Sequence, residues 1–262
     1  MVGPGAFDGA LVTKQVEIKG IGGATIVGGP PHGSGLTQGF RMLAGSGGST
    51  ISHFTFDNIG LAIMNGAAVH NVTITQNTFL NPVQGVSNWR GSGWEITQNE
   101  VIGLRTRCGG GIGILIGDYT GGTVTDNVVS HNKMAGTLAV SAGDCGGYNG
   151  TGIVVYADFR WGAAGASSIA YNRIVKNNIA LVSDTPLLVD VVAIELTDTR
   201  ADALLPAVIH GNAIGFNDLR GTAMQIALTP TSLDNPTNAI SRNLGQNRGH
   251  GLHPSVFGPG GN

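Results

Sequence analysis

The sequence predicts an all-β protein, a right-handed parallel β-helix with about three short strands per coil. The main observation is a pattern that recurs along the chain, in which a short β-branched run is followed by an asparagine and another apolar residue. Repeats spaced by roughly 20 to 45 residues are typical of a solenoid, and runs this short are strands rather than helices. The copies are Val72–Phe79, Trp94–Val101, Val124–Val129, Ile169–Ile174, Val208–Ile214 and Ile240–Leu244.

A second apolar run lies between successive asparagines and ends in a polar residue. Its copies are Leu61–Asn65, Val83–Asn88, Gly113–Asp118, Gly152–Asp158, Val192–Asp198 and Met224–Thr229. If the closing residues occupy the same place on successive coils, the coils are 23, 30, 40, 40 and about 32 residues long. From the third coil on, a third short strand fits between the two runs, at Thr137–Val140 and Ile179–Val182. Three strands per coil are the pattern of a right-handed parallel β-helix.

The recurring asparagines are interpreted as structural. Asparagine suits a sharp corner because it tolerates left-handed backbone angles and can hydrogen-bond to its own backbone. Stacked amide side chains can also pair along a ladder. We therefore expect the asparagines to form the corners of successive coils.

Composition and charge support one domain and exclude several classes of function. Of 262 residues, 44 are glycine and 11% are charged, against about 25% in a typical domain. The glycines have no triplet period, which excludes a collagen-like protein. Because the repeat is unbroken, we expect one domain over residues 1–262. A net charge of −2 gives no basic field to hold nucleic acid, and the apolar runs are too short to insert into a membrane. Neither observation indicates an oligomeric state.

The beginning of the chain looks like the middle of a coil. Met1 is followed directly by Val2–Gly9, without the basic start and apolar stretch of a signal peptide. We expect a native N-terminal segment, with any secretion signal, to be missing, and the protein to be extracellular or on the cell surface. Cys108 and Cys145 precede two successive strands and could face each other one coil apart, either as a disulfide or as two reduced thiols.

The first coil resembles that of the pectate-lyase-like superfamily, in particular its right-handed β-helix-repeat branch. The residues that carry the resemblance are Val2–Gly9, Val16–Gly20 and Ala24–Ile26, and the asparagine-centred coils extend it over nearly the whole chain. The resemblance implies a parallel β-helix and a polysaccharide partner, but the superfamily includes lyases, hydrolases, epimerases and proteins without chemistry. Gly249-His250-Gly251 matches one piece of the polygalacturonase signature, but the accompanying aspartate motifs and the Arg-x-Lys are absent.

Stacking the coils predicts a column of acids. Asn65, Asn88, Asp118, Asp158 and Asp198 all close the same run, and Arg90, Arg160 and Arg200 follow three of them by two residues. At about 4.8 Å between strands, the three aspartates would have the separations of glycosidase carboxylate pairs. Such a column requires a raised pKa or an intervening cation, and a calcium ion could neutralise a uronate. Alternatively, the arginines pair with the aspartates and stabilise the turns.

These residues lead to two hypotheses about function. In the first, Asp118, Asp158 and Asp198 are acid/base groups or cation ligands of a lyase, hydrolase or epimerase, with Arg160 and Arg200 as charge partners. Arg90 and the aromatic residues Trp89, Tyr119, Phe159 and Trp161, expected to be exposed, would bind an extended polysaccharide that includes uronates. In the second, the chain is a non-catalytic carbohydrate-binding or structural module. The sequence does not decide whether the protein is an enzyme, and it identifies no cofactor beyond the calcium considered above.

Overall fold

The computed structural model describes residues 1–107, 110–140, 149–159, 167–185, 190–199, 208–228, 237–245 and 247–250. These residues form 27 short strands and no α-helix. The all-β parallel β-helix predicted from the sequence is confirmed.

The strands follow one another along the chain with short turns between them. In the N-terminal part they are β1 (Gly5–Asp8), β2 (Leu11–Val12), β3 (Glu17–Lys19), β4 (Ala24–Gly28), β5 (Gln38–Met42), β6 (Thr50–Ser52), β7 (Thr55–Asp57), β8 (Leu61–Asn65), β9 (Thr73–Thr75), β10 (Thr78–Leu80), β11 (Gln84–Trp89), β12 (Glu95–Thr97), β13 (Glu100–Arg105) and β14 (Ile112–Asp118). In the C-terminal part they are β15 (Thr123–Thr125), β16 (Val128–Ser130), β17 (Lys133–Ala139), β18 (Asn149–Ala157), β19 (Ser168–Ala170), β20 (Arg173–Val175), β21 (Asn178–Ser183), β22 (Asp190–Asp198), β23 (Ile209–His210), β24 (Ala213–Gly215), β25 (Met224–Leu228), β26 (Ala239–Ser241) and β27 (Arg248–His250).

Strands from successive coils stack into four parallel sheets. The nine-stranded sheet has the order β2-β5-β8-β11-β14-β18-β22-β25-β27, and the eight-stranded sheet has the order β26-β24-β20-β16-β12-β9-β6-β3. The seven-stranded sheet has the order β1-β4-β7-β10-β13-β17-β21, and a three-stranded sheet has the order β15-β19-β23. Each strand therefore pairs with the equivalent strand one coil earlier and one coil later, as a solenoid requires.

The number of strands per coil differs from the prediction. A third strand was expected only from the third coil on, but the seven-stranded sheet supplies one from the first coil, beginning with β1 and β4. The strand that appears later is a fourth one, β15, which begins the three-stranded sheet. The predicted strands at Thr137–Val140 and Ile179–Val182 are parts of β17 and β21, and both continue the seven-stranded sheet.

The core runs the length of the solenoid. In the eight-stranded sheet the central residue of each three-residue strand points inward, as Ile74, Ile96 and Ile174 do, and each is fully buried. The inward residues of the other sheets complete one continuous apolar cluster from Val12 to Leu228. Since each coil covers the apolar face of the next, no coil is expected to be stable alone.

The recurring asparagines form two separate ladders on two corners. In each ladder the Nδ2 of one asparagine donates to the Oδ1 of the asparagine one coil later, at 2.8 to 3.1 Å. The first ladder is Asn77, Asn99, Asn132, Asn177, Asn217 and Asn243. The second is Asn127, Asn172, Asn212 and Asn238; the two earlier coils have Val72 and Trp94 on this corner, and the donor to Asn127 is Asn88 from β11. The predicted amide pairing is confirmed, but the single asparagine repeat is wrong, because its copies divide between the two ladders.

The corner geometry also differs from the prediction. The left-handed backbone angle belongs to the residue before the ladder asparagine, as at Gln76 (φ 56°), His131 (φ 56°) and Tyr171 (φ 57°). This residue turns the chain outward, and the asparagine that follows points its amide inward between coils, where all ladder members except the half-buried Asn238 are buried.

Candidate functional site

The nine-stranded sheet does not bring the predicted acids into one column. Asp118 lies opposite Ala157, and Ala157 lies opposite Asp198, so Asp158 is one residue out of register with both. Asn88 lies opposite Ile116 rather than Asp118. At about 4.8 Å per strand, Asp118 and Asp198 are two strands apart, with an alanine between them. The predicted column is therefore wrong. Of the coil lengths, 23 and about 32 residues agree with the registers Leu61↔Gln84 and Val192↔Met224, whereas the three coils between them are one or two residues off.

Asp118 is buried and holds a turn together. Its carboxylate accepts hydrogen bonds from the backbone N–H groups of Thr120 (3.1 Å), Gly121 (2.8 Å) and Gly122 (3.0 Å), and from the Thr120 hydroxyl (3.0 Å). The Ser167 hydroxyl also donates to it. Burial raises the pKa of Asp118, but the hydrogen bonds from Ser167, Gly122 and Thr120 outweigh burial, and the net pKa lies below its ordinary value.

That shift is opposite to the one a general acid needs, since a proton donor at neutral pH requires a raised pKa. Asp158 and Asp198 are also buried, with 2% and 1% of their surface exposed. The backbone N–H of Asp158 donates to the carbonyl of Asp118, one coil earlier, at 2.9 Å. Arg160 and Arg200, the predicted charge partners, lie outside the described residues.

The predicted sugar-binding aromatic residues are not an exposed row. Trp89 is 1% exposed and packs edge-on against Tyr119 and Tyr156, with ring centroids 5.4 and 6.1 Å away. Tyr119 is half-buried, and the Arg90 guanidinium lies 5.5 Å above its ring. Phe159 packs against the interior core. The expectation of exposure is wrong for Trp89, while Trp161, Cys108 and Cys145 lie outside the described residues.

Sequence reasoning missed one buried acid. Glu195 lies in the middle of β22 and is fully buried, and its Oε2 accepts a hydrogen bond from the Thr151 hydroxyl at 3.3 Å. It lies opposite Val154 on one side and Ala227 on the other. A charged residue inside an otherwise apolar strand was the signal that could have identified it.

The outer face of the eight-stranded sheet and its two corners carry exposed polar, cationic and aromatic side chains. Its strands are only three residues long, so two corners enclose a narrow floor, roughly 7 Å between the outward residues of a strand. On this floor the N-terminal strands present threonines, as at Thr73 and Thr75, whereas the C-terminal strands present small residues such as Ala213. Each corner carries one column of outward residues, and these columns form the rims of the floor.

One column, the Phe216 rim, precedes the first asparagine ladder. All of its members are exposed and have φ between 56° and 64°. They are His53, Gln76, Gln98, His131, Lys176, Phe216 and Arg242. Coils therefore present one hydrogen-bonding, cationic or aromatic side chain each, at intervals of about 4.8 Å.

Phe216 is the unusual member of this rim. It is 54% exposed and has φ 59°, and the left-handed region costs a residue with a side chain about 1–2 kcal/mol. Neither core packing nor backbone preference explains a phenylalanine here. The guanidinium of Arg242 from the next coil lies over one face of its ring, 5.3 Å from the ring centroid, and 54% of the residue's surface still meets solvent.

The exposed charged side chains next to Phe216 on this surface are positive. Arg173, Lys176 and Arg242 are exposed, and neither Arg173 nor Lys176 makes an ion pair with another described residue. The nearest acid along the chain from Phe216, Asp218, is already paired with Arg220 at 2.7 Å. The exposed acids of the floor, such as Glu95, lie in the N-terminal half.

The second column, the Tyr171 rim, precedes the second ladder. Its members are Asn71, Gly93, Asp126, Tyr171 and Gly211, with φ between 57° and 69°. Tyr171 is 62% exposed and lies with its ring against the next coil. The sequence signal for both aromatic residues was their place directly before a ladder asparagine, where other coils have glutamine, aspartate or lysine.

The described part of the chain lacks both a metal-binding cluster and a membrane-spanning helix. It contains no cluster of three or more His, Cys, Asp or Glu side chains that could hold a metal ion. It also contains no helix long and apolar enough to span a membrane.

No family model, no curated protein and no solved structure matches the chain.

Proposed function

We propose that this protein is an extracellular or cell-surface β-helix that binds an extended, acidic polysaccharide along the Phe216 rim. The observation that carries the proposal is Phe216 itself, a large apolar side chain that is exposed and held in an unfavourable backbone conformation. The left-handed backbone belongs to the corner and is shared by every member of the rim, so what distinguishes this position is the exposed aromatic side chain. A sugar ring presents an apolar face that can stack on such a side chain.

The spacing of the rim supports a chain-like ligand. One rim residue recurs per coil, about every 4.8 Å, which is close to the length of one pyranose unit in an extended β-1,4-linked polymer. Gln76, Gln98 and His131 would exchange hydrogen bonds with sugar hydroxyl groups. Lys176 and Arg242, on either side of Phe216, would bind carboxylate or sulfate groups.

The resemblance of the first coil to the pectate-lyase-like superfamily supports the same ligand class. Cleavage or epimerisation of the glycan is not part of the proposal, since the low pKa of Asp118 argues against a proton donor. Catalysis at Asp118, Asp158 and Asp198 stays a prediction of the sequence.

Binding to a panel of oligosaccharides tests the proposal directly. The panel contains hexamers of galacturonate and mannuronate, a heparin hexasaccharide and the neutral cellohexaose, measured by isothermal titration calorimetry. Phe216→Ala should weaken binding by about tenfold, the scale of one lost aromatic contact. Lys176→Gln should weaken binding of the acidic oligomers only, and that binding should fall as salt is added.

Two variants on other surfaces serve as matched controls. Phe7→Ala removes a partly exposed phenylalanine from β1, and Lys133→Gln removes an exposed lysine from the seven-stranded sheet. Both should bind like the unmodified protein. Wild-type affinity in Phe216→Ala and Lys176→Gln, or no binding of any panel member, would refute the proposal.

A further inference from the structure

Tyr171 on the opposite rim is a second exposed aromatic residue that the Phe216 rim does not use. It combines 62% exposure with a left-handed backbone (φ 57°), the combination found at Phe216. The floor of the eight-stranded sheet separates the two rims, so a glycan that follows one rim does not reach the other along its length. Tyr171 therefore requires its own explanation.

The ring of Tyr171 is held in a seat formed by the next coil. A Cβ added to Gly211 would lie 2.9 Å from Cε1 and 3.1 Å from Cδ1 of the ring, closer than real Cβ atoms approach. The ring thus occupies the space that any side chain at position 211 would fill. The imidazole of His210 stands edge-on to the ring, with centroids 6.1 Å apart and planes at 85°.

The seat is itself fixed by hydrogen bonds. Nε2 of His210 lies 3.0 Å from the hydroxyl of Ser168 on the neighbouring strand, and the N–H of Gly211 donates to the hydroxyl of Thr237 at 2.9 Å. These contacts hold the platform in place before any ligand arrives, which reduces the entropy cost of binding.

We infer that Tyr171 is the platform of a second, separate carbohydrate site, which binds a single pyranose ring and depends on Gly211 for its geometry. The apolar face of the sugar stacks on the tyrosine, as sugar rings do on flat aromatic surfaces. Polar groups surround the platform: Ser168 and His210 come from adjacent strands, and the exposed Arg173 follows Tyr171 by two residues. These groups match the hydroxyl oxygens at the edge of a pyranose.

Nuclear magnetic resonance with small probes tests this site independently of the first. The probes are methyl glucoside, methyl galactoside, methyl mannoside and methyl glucuronide, each titrated against protein with labelled tyrosine rings. At least one probe should shift the Tyr171 ring signals, and Tyr171→Ala should abolish its binding. Phe216→Ala should leave this titration unchanged, so failure of the Phe216 rim and failure of the Tyr171 site are distinguishable.

Gly211→Ala and Gly93→Ala form a matched pair for the seat. Both glycines lie on the Tyr171 rim with positive φ, 65° and 69°, so alanine strains the backbone equally. A Cβ at Gly93 would lie 2.3 Å from Oδ1 of Asn71, so it displaces that side chain and not the ring of Tyr171. Gly211→Ala should therefore weaken probe binding about tenfold, the scale of a displaced aromatic contact, while Gly93→Ala should not. No shift of the Tyr171 ring with any probe, or equal affinities for the two variants, would overturn the inference.

Discussion

Replacing Asn132 with alanine tests how much the amide ladders stabilise the solenoid. Asn132 is 1% exposed and lies in the middle of the first ladder. Its Oδ1 accepts from the backbone N–H of Asn99 (3.0 Å) and from Nδ2 of Asn99 (3.1 Å). Its Nδ2 donates to the carbonyl of Ile96 (2.9 Å) and to Oδ1 of Asn177 (3.0 Å).

The partners that lose Asn132 are not equally affected. Nδ2 of Asn99 keeps the carbonyls of Ile74 and Thr97, and Oδ1 of Asn177 keeps the N–H of residue 132. The backbone N–H of Asn99 loses its side-chain acceptor inside the protein, which costs about 1–3 kcal/mol. With the three remaining lost bonds at about 1 kcal/mol each, we expect the free energy of unfolding to fall by about 4–6 kcal/mol.

Urea unfolding, followed by circular dichroism and by tryptophan emission, measures this change. The two probes are needed because repeat proteins do not always unfold in one step. The melting temperature should fall by about 10 °C. Asn178→Ala is the control, because Asn178 is exposed on the seven-stranded sheet and its loss should change stability by less than about 0.5 kcal/mol. A loss below about 1 kcal/mol in Asn132→Ala would contradict this expectation. It would show that the hydrogen bonds of the ladder stabilise the protein hardly more than the hydrogen bonds to water that the same amide makes in the unfolded chain.

Three further perturbations test other features. Asn132→Asp keeps an acceptor for Asn99 but places a carboxylate oxygen against the Ile96 carbonyl, so the pKa of the new carboxyl group should be raised. The free energy of unfolding of this variant should then fall as pH rises from 4 to 7, and a stability independent of pH would contradict this. Asp118→Asn should lower the melting temperature at pH 7 and flatten its acid dependence, because a carboxyl whose pKa is lowered on folding stabilises at neutral pH and loses that contribution as pH falls below about 4; equal pH profiles for variant and wild type would exclude this role. Gly113→Ala should cost about 1–3 kcal/mol, because its Cβ would lie 2.5 Å from the Gly152 carbonyl oxygen and 2.9 Å from the Met134 sulfur. Gly122→Ala is its control, since that Cβ meets nothing closer than 3.5 Å, and equal stability of the two would contradict the packing argument.

The sequence predicted what depends on local pattern. Short β-branched runs became strands because alternating side chains fit a sheet with one buried face, as in Thr73–Thr75 with Ile74 inside. Amide pairing of the asparagines followed from the repeat itself. Pattern alone could not separate Asn127 from Asn132, since each follows a left-handed residue and precedes a short strand. Only the pairing of strands across coils assigns them to different ladders.

The acid column failed for a related reason. It assumed that the polar residue ending each apolar run marks the same place on every coil, but strand length varies, from six residues in β11 to nine in β18. A longer strand carries its last residue further along the sheet, and a shift of one residue reverses the direction of a side chain. The exposure of Phe216 and Tyr171 could not be predicted from the sequence either, because burial depends on the place that a residue occupies at the corner of a coil.

The two asparagine ladders have a direction. Along each ladder the amide–amide bond runs one way, from Nδ2 of one asparagine to Oδ1 of the asparagine one coil later, while the same Nδ2 group also donates to a backbone carbonyl of the coil before, as Asn132 does to Ile96. Oδ1 of Asn77 accepts from the backbone N–H of Phe54 where the first ladder begins. Each asparagine thus offers the same acceptor to the coil before it and the same donor to the coil after it. A duplicated coil that carries both asparagines could therefore be inserted between any two such coils without leaving an unmatched amide. In this architecture the coil is a unit of growth, and gene duplication can lengthen the protein while its hydrogen bonding stays complete.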